Sequence, residues 1–395
     1  MIAISKMAAA VQPSATLAAG AKARQMKAEG HSVYDFSLGE PDFMTPEHIR
    51  AAAVAAMNKG QTHYTPANGT PELRSGVSRY YDKNHAMRYT PEQVLISNGA
   101  KHSIHNVLAS LVGPGDEVII PTPYWVSYSD LVEMTGAKYM LVPTRLEDGF
   151  KMTPAQLRTA ITPRSRLLML NSPSNPTGTV YSRTELEALA DVVLESNLAV
   201  LSDEIYEKLV YGNAKATCFA TLRPGLAERV VTVSGVSKTY AMTGWRIGWA
   251  AGPAHVIKAM GNVQSQQTSC PCSVSQAAAV AALDGDQTCV ESMRKQFEAR
   301  RDMVFARLAE ISGVRCFTPD GAFYAFFDVS AHFGRTLGGR NVTDSTSFCL
   351  AALESAHVNL VTGVAFGAEG FVRLSYAASR EQLQGGLDRL EQFLR

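Results

Sequence analysis

The chain has 395 residues, 46% of them hydrophobic, which is more material than one core usually serves, so two domains are expected. Its formal net charge of +1 gives no field that would gather nucleic acid or an anionic membrane surface, which leaves small molecules and further copies of the chain as partners. Six cysteines in so long a chain make no disulfide scaffold, and nine histidines form no H-E-x-x-H or similar cluster, so no metal is expected; Cys270 and Cys272 read as packing residues around Pro271.

The opening stretch MIAISKMAAAVQPSATLAAGAKARQ has only short, weak apolar pieces. Neither a signal peptide nor a membrane span is expected there or further on, and the cytoplasm is the default location. Five apolar runs then follow: QVLIS to Ser97, EVIIP to Pro121, RLLMLN to Asn171, LAVLSD to Asp203 and RVVTVS to Ser234. They are continuous rather than alternating, as strands buried on both faces are. Between them lie helical patterns, such as Ile104, Val107, Leu108 and Leu111 at i, i+3, i+4, i+7. Strands alternating with helices imply a mostly parallel sheet in an α/β domain, placed at residues 46–285. A long charged helix, apolar at Val290, Met293, Phe297, Val304, Leu308 and Ile311, leads out of it. Beyond come strand-like VRCFTP, AFYAFFDVS, VNLVTG and FVRLSYA, with helices near Thr346–Ala356 and Glu381–Leu394. These predict a smaller α+β domain of residues 286–395, joined by residues 1–45.

Ligands of open α/β sheets bind outside the carboxyl ends of the strands. After the first run, Gly99 and Ala100 feed a helix N-terminus, whose free N–H groups suit a phosphate. There is no G-x-G-x-x-G and no Walker motif, so a dinucleotide or nucleoside triphosphate site is not supported. The third run ends in NSPSNPTG, a rigid turn that presents Asn175. The fourth ends in SDEIY, where Asp203 is either a helix N-cap or a carboxylate in need of a cation, with Tyr206 three residues on. Lys238 follows the fifth run, and a lysine in a dry site becomes a nucleophilic amine able to form a Schiff base. Arg246 would clamp a phosphate beside Gly99 and Ala100. Asp203 would meet a protonated pyridine nitrogen, and Tyr206 and Asn175 a phenolic oxygen on the same ring. One ligand answers to all of these: pyridoxal 5′-phosphate.

The motifs FSLGEPDF, YTPANGTPELR, PTPYWVSY, NSPSNPTG, SDEIYE, GVSKTYAMTGWRIG and GFVRLSYAAS span nearly the whole chain. In this order and spacing they resemble the class I aminotransferases of fold type I, within them the bacterial aspartate/prephenate subgroup. The resemblance implies the pyridoxal-phosphate transferase fold, with Lys238 as Schiff-base lysine and proton shuttle between the substrate Cα and the coenzyme C4′. It implies that Asp203 keeps the ring nitrogen protonated and that Asn175 and Tyr206 bind the ring hydroxyl. Gly99, Ala100 and Arg246 fall where the phosphate is held, and Tyr64 matches a tyrosine that reaches the phosphate of the neighbouring subunit, implying a homodimer with shared active sites. Trp125 matches the aromatic cover of the ring, Arg373 the grip on the substrate α-carboxylate, and Gly39 a residue of the same pocket. Gly235 stands where many relatives have a phosphate-binding serine, a role that Ser234 or Ser237 would take over. Phe297 replaces an expected tyrosine.

The implied reaction is ping-pong exchange between amino acids and 2-oxo acids, L-aspartate with 2-oxoglutarate first. Lys101 and Thr16 sit where the subgroup places residues associated with dicarboxylic substrates. Prephenate/glutamate exchange is a plausible second activity, and an aromatic or broad-range aminotransferase is a further reading. A β-lyase would use the same Lys238, Asp203 and Arg373. A non-catalytic sensor of the coenzyme is a different class, against which the short stretch ahead of GEPDF argues.

Overall fold

A computed structural model describes residues 2–11 and 13–395. The five apolar runs form β1 (Val94–Ser97), β2 (Glu117–Thr122), β4 (Ser165–Asn171), β5 (Ala199–Asp203) and β6 (Val230–Gly235). Two more strands, β3 (Lys138–Pro143) and β7 (Gly248–Ala251), complete a seven-stranded sheet of order β1-β7-β6-β5-β4-β2-β3. Sequence reading passed over both. β3 is one of the two edge strands and leaves Met140 and Leu141 half-exposed. β7 is GWAA, whose glycine and alanines have little strand preference of their own. Only β7 runs against its neighbours β1 and β6; the other pairings are parallel. The carboxyl ends of β1, β2, β4, β5 and β6 therefore share one edge.

Successive residues of each strand enter different cores, which explains the continuous apolar runs. On one face Leu95, Leu167, Leu201 and Val231 pack with Ile104, Val107 and Leu108 of α1 (Ala100–Leu111). On the other, Val94, Ile96, Leu168 and Val200 pack with Leu73, Val77, Leu186 and Leu189. A third core joins Phe297, Val304 and Leu308 of the 23-residue helix α2 (Thr288–Glu310) to Phe323, Phe327, Leu374 and Leu387. Phe36 enters it from the N-terminal segment, and Ile205, Tyr206 and Ala241 enter it from the strand ends of the large sheet.

The C-terminal strands are β8 (Tyr324–Asp328), β9 (Val361–Thr362) and β10 (Phe371–Ser375), an antiparallel sheet of order β9-β10-β8. VRCFTP, expected to be a strand, makes a single bridge from Arg315 to Asp328. The chain then turns at Pro319-Asp320-Gly321, and Gly321 N donates to Gly178 O at 2.9 Å, which draws the backbone away from β8. Tyr34–Asp35 pairs in parallel with Val358–Asn359. No helix among the described residues is long and apolar enough to cross a membrane.

Candidate active site

A cavity of about 300 Å³ opens at the shared strand edge, between the large sheet and β8–β10. Its lining includes Thr16, Gly39, Ala100, Lys101, Trp125, Asn175, Asp203, Tyr206, Ser237, Lys238, Arg246 and Arg373. Twelve of the fourteen site residues expected from sequence thus meet in one place. Gly99 sits one residue behind the wall. Tyr64, 93% exposed, does not reach this cavity.

Lys238 lies in a short helical turn, Val236–Thr239, directly after β6, so its side chain leaves the sheet at the edge. Its Nζ donates to Gly39 O at 2.5 Å. Burial lowers its pKa to about 8; Glu40 and Asp203 pull the other way, and Arg246 and Arg373 add to the lowering. Asp203 is the last residue of β5 and is 4% exposed. No helix follows it, so the N-cap reading does not hold. Burial raises its carboxyl to about 6, opposed by hydrogen bonds from Tyr128 and the Ile205 amide and by the charge of Lys238. The Tyr128 hydroxyl donates to Asp203 Oδ2 at 2.6 Å. Tyr128 was missed in the sequence; standing three residues after Trp125 on a helical turn, it could have been read as sharing that side.

Arg373, at the centre of β10, is 1% exposed. Its Nη1 donates to Asn175 Oδ1 at 2.9 Å and its Nη2 to Ser37 O at 2.6 Å, while Nε has no partner. The guanidinium stacks 4.6 Å from the Tyr324 ring and 4.9 Å from that of Phe366. A surface position on an edge strand is thereby excluded. Tyr324, also missed, shares a 2.7 Å hydrogen bond with the Tyr206 hydroxyl. A Cβ on Gly39 would run into that Tyr324 hydroxyl, so bareness at Gly39 is a packing requirement.

At the other end, Gly99 takes φ +87° and caps α1. A Cβ there would overlap the Arg246 guanidinium, which lies beside the turn with Nη2 3.5 Å from Asn98 O. The Ala100 and Lys101 amides, first in the helix, have no acceptor among the described residues. Gly235 packs flat on β7: a Cβ would lie 2.9 Å from Gly248 Cα and 3.0 Å from Ile247 O. Of the two serines that could compensate for it, Ser237 lines the cavity, whereas Ser234 points away, its Oγ 3.3 Å from Glu207 Oε1. Phe297 is fully buried against Phe43 and Phe323, a setting without polar work.

At the outer rim, Lys101 Nζ lies 5.0 Å over the Trp125 ring, and its pKa is lowered by burial and by Arg246. Thr16 is the second residue of its helix rather than its cap, and its buried hydroxyl has no partner. Glu40 Oε1, not foreseen, accepts from the Thr243 hydroxyl.

A lysine of lowered pKa, a buried carboxylate and, across the cavity, a buried arginine thus stand at the edge of a mostly parallel sheet, the arrangement of an enzyme site. Residues 31–390 match the family described as aminotransferase class I and II, and the chain belongs to it. It is 46% identical to an aspartate aminotransferase of Geobacillus stearothermophilus and 45% identical to an aspartate/prephenate aminotransferase of Cereibacter sphaeroides, in each case over 99% of this chain and 98% of the relative. The crystal structure of an aspartate aminotransferase from Rhizobium meliloti superposes with a TM-score of 0.96 at 43% identity, covering 100% of this chain and 99% of that one.

Proposed function

We propose that this chain is a pyridoxal 5′-phosphate-dependent aspartate aminotransferase, moving the α-amino group of L-aspartate to 2-oxoglutarate and so giving oxaloacetate and L-glutamate. The carrying observation is the Lys238 amine, with a pKa near 8, sharing one cavity with Asp203 and Arg373. At pH 7 roughly a tenth of such an amine is unprotonated, against roughly three in ten thousand of an ordinary lysine. That free base is what both nucleophilic attack and proton transfer need.

The donor set fits the coenzyme. Arg246 and the open Ala100 and Lys101 amides would take its phosphate, Asp203 its ring nitrogen, Tyr206 and Asn175 its ring hydroxyl, and Trp125 one face of the ring. When bound, the coenzyme supplies a carbonyl carbon that accepts the amino group and a conjugated ring that withdraws electrons from the substrate Cα. Lys238 would hold the coenzyme through its amine and, as a base with a pKa near 8, would take up and return the proton of the substrate Cα. Arg373 would grip the α-carboxylate through its guanidinium, which lines the cavity. Tyr128 keeps Asp203 anionic, so that the ring nitrogen stays protonated. Lys101 and Thr16, at the rim, would receive the second carboxylate and confer the preference for dicarboxylic acids.

The relative named for both aspartate and prephenate supports prephenate amination as a second activity. Tyr64, exposed here, fits a homodimer in which it serves the partner's site. We divide the chain into a coenzyme domain of residues 46–285 and a small domain of residues 1–45 and 286–395, with the cavity between them. The test is direct: purified protein, coenzyme, L-aspartate and 2-oxoglutarate, with oxaloacetate read through a coupled reductase. Coenzyme-loaded protein that forms no oxaloacetate refutes the reading.

A further inference from the structure

The segment Ser37–Thr45 crosses the mouth of the cavity, which Leu38, Gly39 and Glu40 line. Its backbone touches two of the cavity's four cationic side chains directly: Ser37 O accepts from Arg373 at 2.6 Å and Gly39 O from Lys238 at 2.5 Å. Its apolar anchorage is local: Pro41 is buried and Phe43 packs on Phe297, while Leu38 is 38% and Met44 74% exposed. Thr45 fixes one end, donating to Ala241 O at 2.7 Å and accepting from Trp245 Nε1 at 3.0 Å. Between these points Glu40 accepts from the Thr243 hydroxyl at the cavity wall, and a second tie lies outside the cavity. Asp42 receives Arg300 of α2 on both carboxylate oxygens, at 2.6 and 2.9 Å. The Arg300 guanidinium also lies 4.9 Å over Phe43 and 5.5 Å over Phe297, and its side chain is only 11% exposed.

We propose that Arg300 is a positioning residue: its fork on Asp42 fixes the strap so that the Ser37 and Gly39 carbonyls aim Arg373 and Lys238 at the substrate. The inference rests on the aminotransferase reading. A planar two-pronged donor that also stacks sets the orientation of Asp42 as well as its distance, which a lysine does not. Loosening the strap removes contacts made alike before and during the reaction, so the loss falls on KM more than on kcat.

The experiment uses full-length R300M, R300K and D42N beside the parent protein. Hydrogen exchange is followed at the amides of 37–45 without coenzyme, and KM and kcat are measured with it. R300M and D42N should speed exchange in 37–45 while amides of α2 away from Arg300 keep their protection. They should raise KM for aspartate about tenfold with kcat within about threefold, and R300K should fall between. Unchanged exchange and KM in D42N overturn the proposal, as does exchange that rises equally throughout the chain. Should R300M fail to fold, D42N decides, because Asp42 is a surface residue. A parent protein that makes no oxaloacetate refutes the aminotransferase reading instead, and the exchange measurement still judges the strap.

Discussion

Replacing Tyr128 with phenylalanine removes one hydroxyl from a fully buried site and isolates what holds Asp203 ionised. In the coenzyme-free chain, burial pushes the carboxyl up to about 6, and the 2.6 Å hydrogen bond from Tyr128 is the first of the forces restraining it. A hydrogen bond to a charged group is worth about 1.5–3 kcal/mol, and one pKa unit corresponds to about 1.4 kcal/mol, so its loss raises the carboxyl by about one to two further units. At pH 7 the ionised fraction of Asp203 then falls from roughly nine tenths to roughly a quarter. Coenzyme binding that needs the carboxylate opposite a protonated ring nitrogen should weaken about fourfold at pH 7 and return to the parental value near pH 9.

The stability of the apoprotein gives the same test with its own sign. A carboxyl whose folded pKa exceeds its unfolded value binds its proton more tightly when folded. Its contribution is therefore full below about pH 4 and lost as pH rises to about 6. In Tyr128→Phe that loss should extend past neutrality. Coenzyme titrations and urea midpoints from pH 4 to 9 read both effects. A coenzyme affinity that drops equally at pH 7 and pH 9, or not at all, refutes the assignment of Tyr128 to Asp203.

Lys238→Ala should abolish the absorbance of lysine-bound coenzyme and cut turnover by at least about a thousandfold, while in the parent chain the rate of coenzyme capture should rise through a midpoint at about pH 8. Lys101→Ala should raise KM for aspartate and 2-oxoglutarate about tenfold and leave alanine within about threefold; equal losses on a substrate panel remove Lys101 from side-chain recognition. Gly235→Ser supplies a hydroxyl beside the phosphate end of the site, yet its Cβ meets backbone on Gly248 and Ile247. It should destabilise the fold by about 1–3 kcal/mol by denaturant titration, and a stable variant with tighter coenzyme binding would show that the sheet has room there.

What was legible in the sequence was whatever the chain carries locally. Continuous apolar runs placed five strands, and the residues at and just after their ends placed the site, because parallel strands bring distant ends to one edge. β7 was illegible since its alanines and glycine become a strand only between β1 and β6. The support of the site was illegible for a related reason: it is made of contacts between residues far apart in the chain. Tyr128 reaches Asp203 across 75 positions, Tyr324 reaches Tyr206 across 118, and Arg300 reaches Asp42 across 258.

The hexapeptide SDEIYE shows both sides of that division within six residues. Asp203 and Tyr206, three apart, face the cavity. Glu204 and Glu207, also three apart, are buried but do not line it. Glu204 accepts from Ser202 Oγ at 2.7 Å and from the Phe219 amide at 3.0 Å, and burial still raises its carboxyl to about 7. Glu207 takes the Tyr80 hydroxyl at 2.7 Å and lies 2.6 Å from His85 Nε2. Sequence spacing pairs the residues correctly in both cases, but it says nothing about which pair faces the ligand. That is settled by what stands opposite: an open cavity and an amine for one pair; for the other, the Phe219 amide at Glu204 and a helix bearing Tyr80 and His85 at Glu207. The hydrogen bonds of Glu204 and Glu207 on the second face anchor the turn that presents the first, so the acidic residues of the motif serve the position of Asp203 as well as its chemistry.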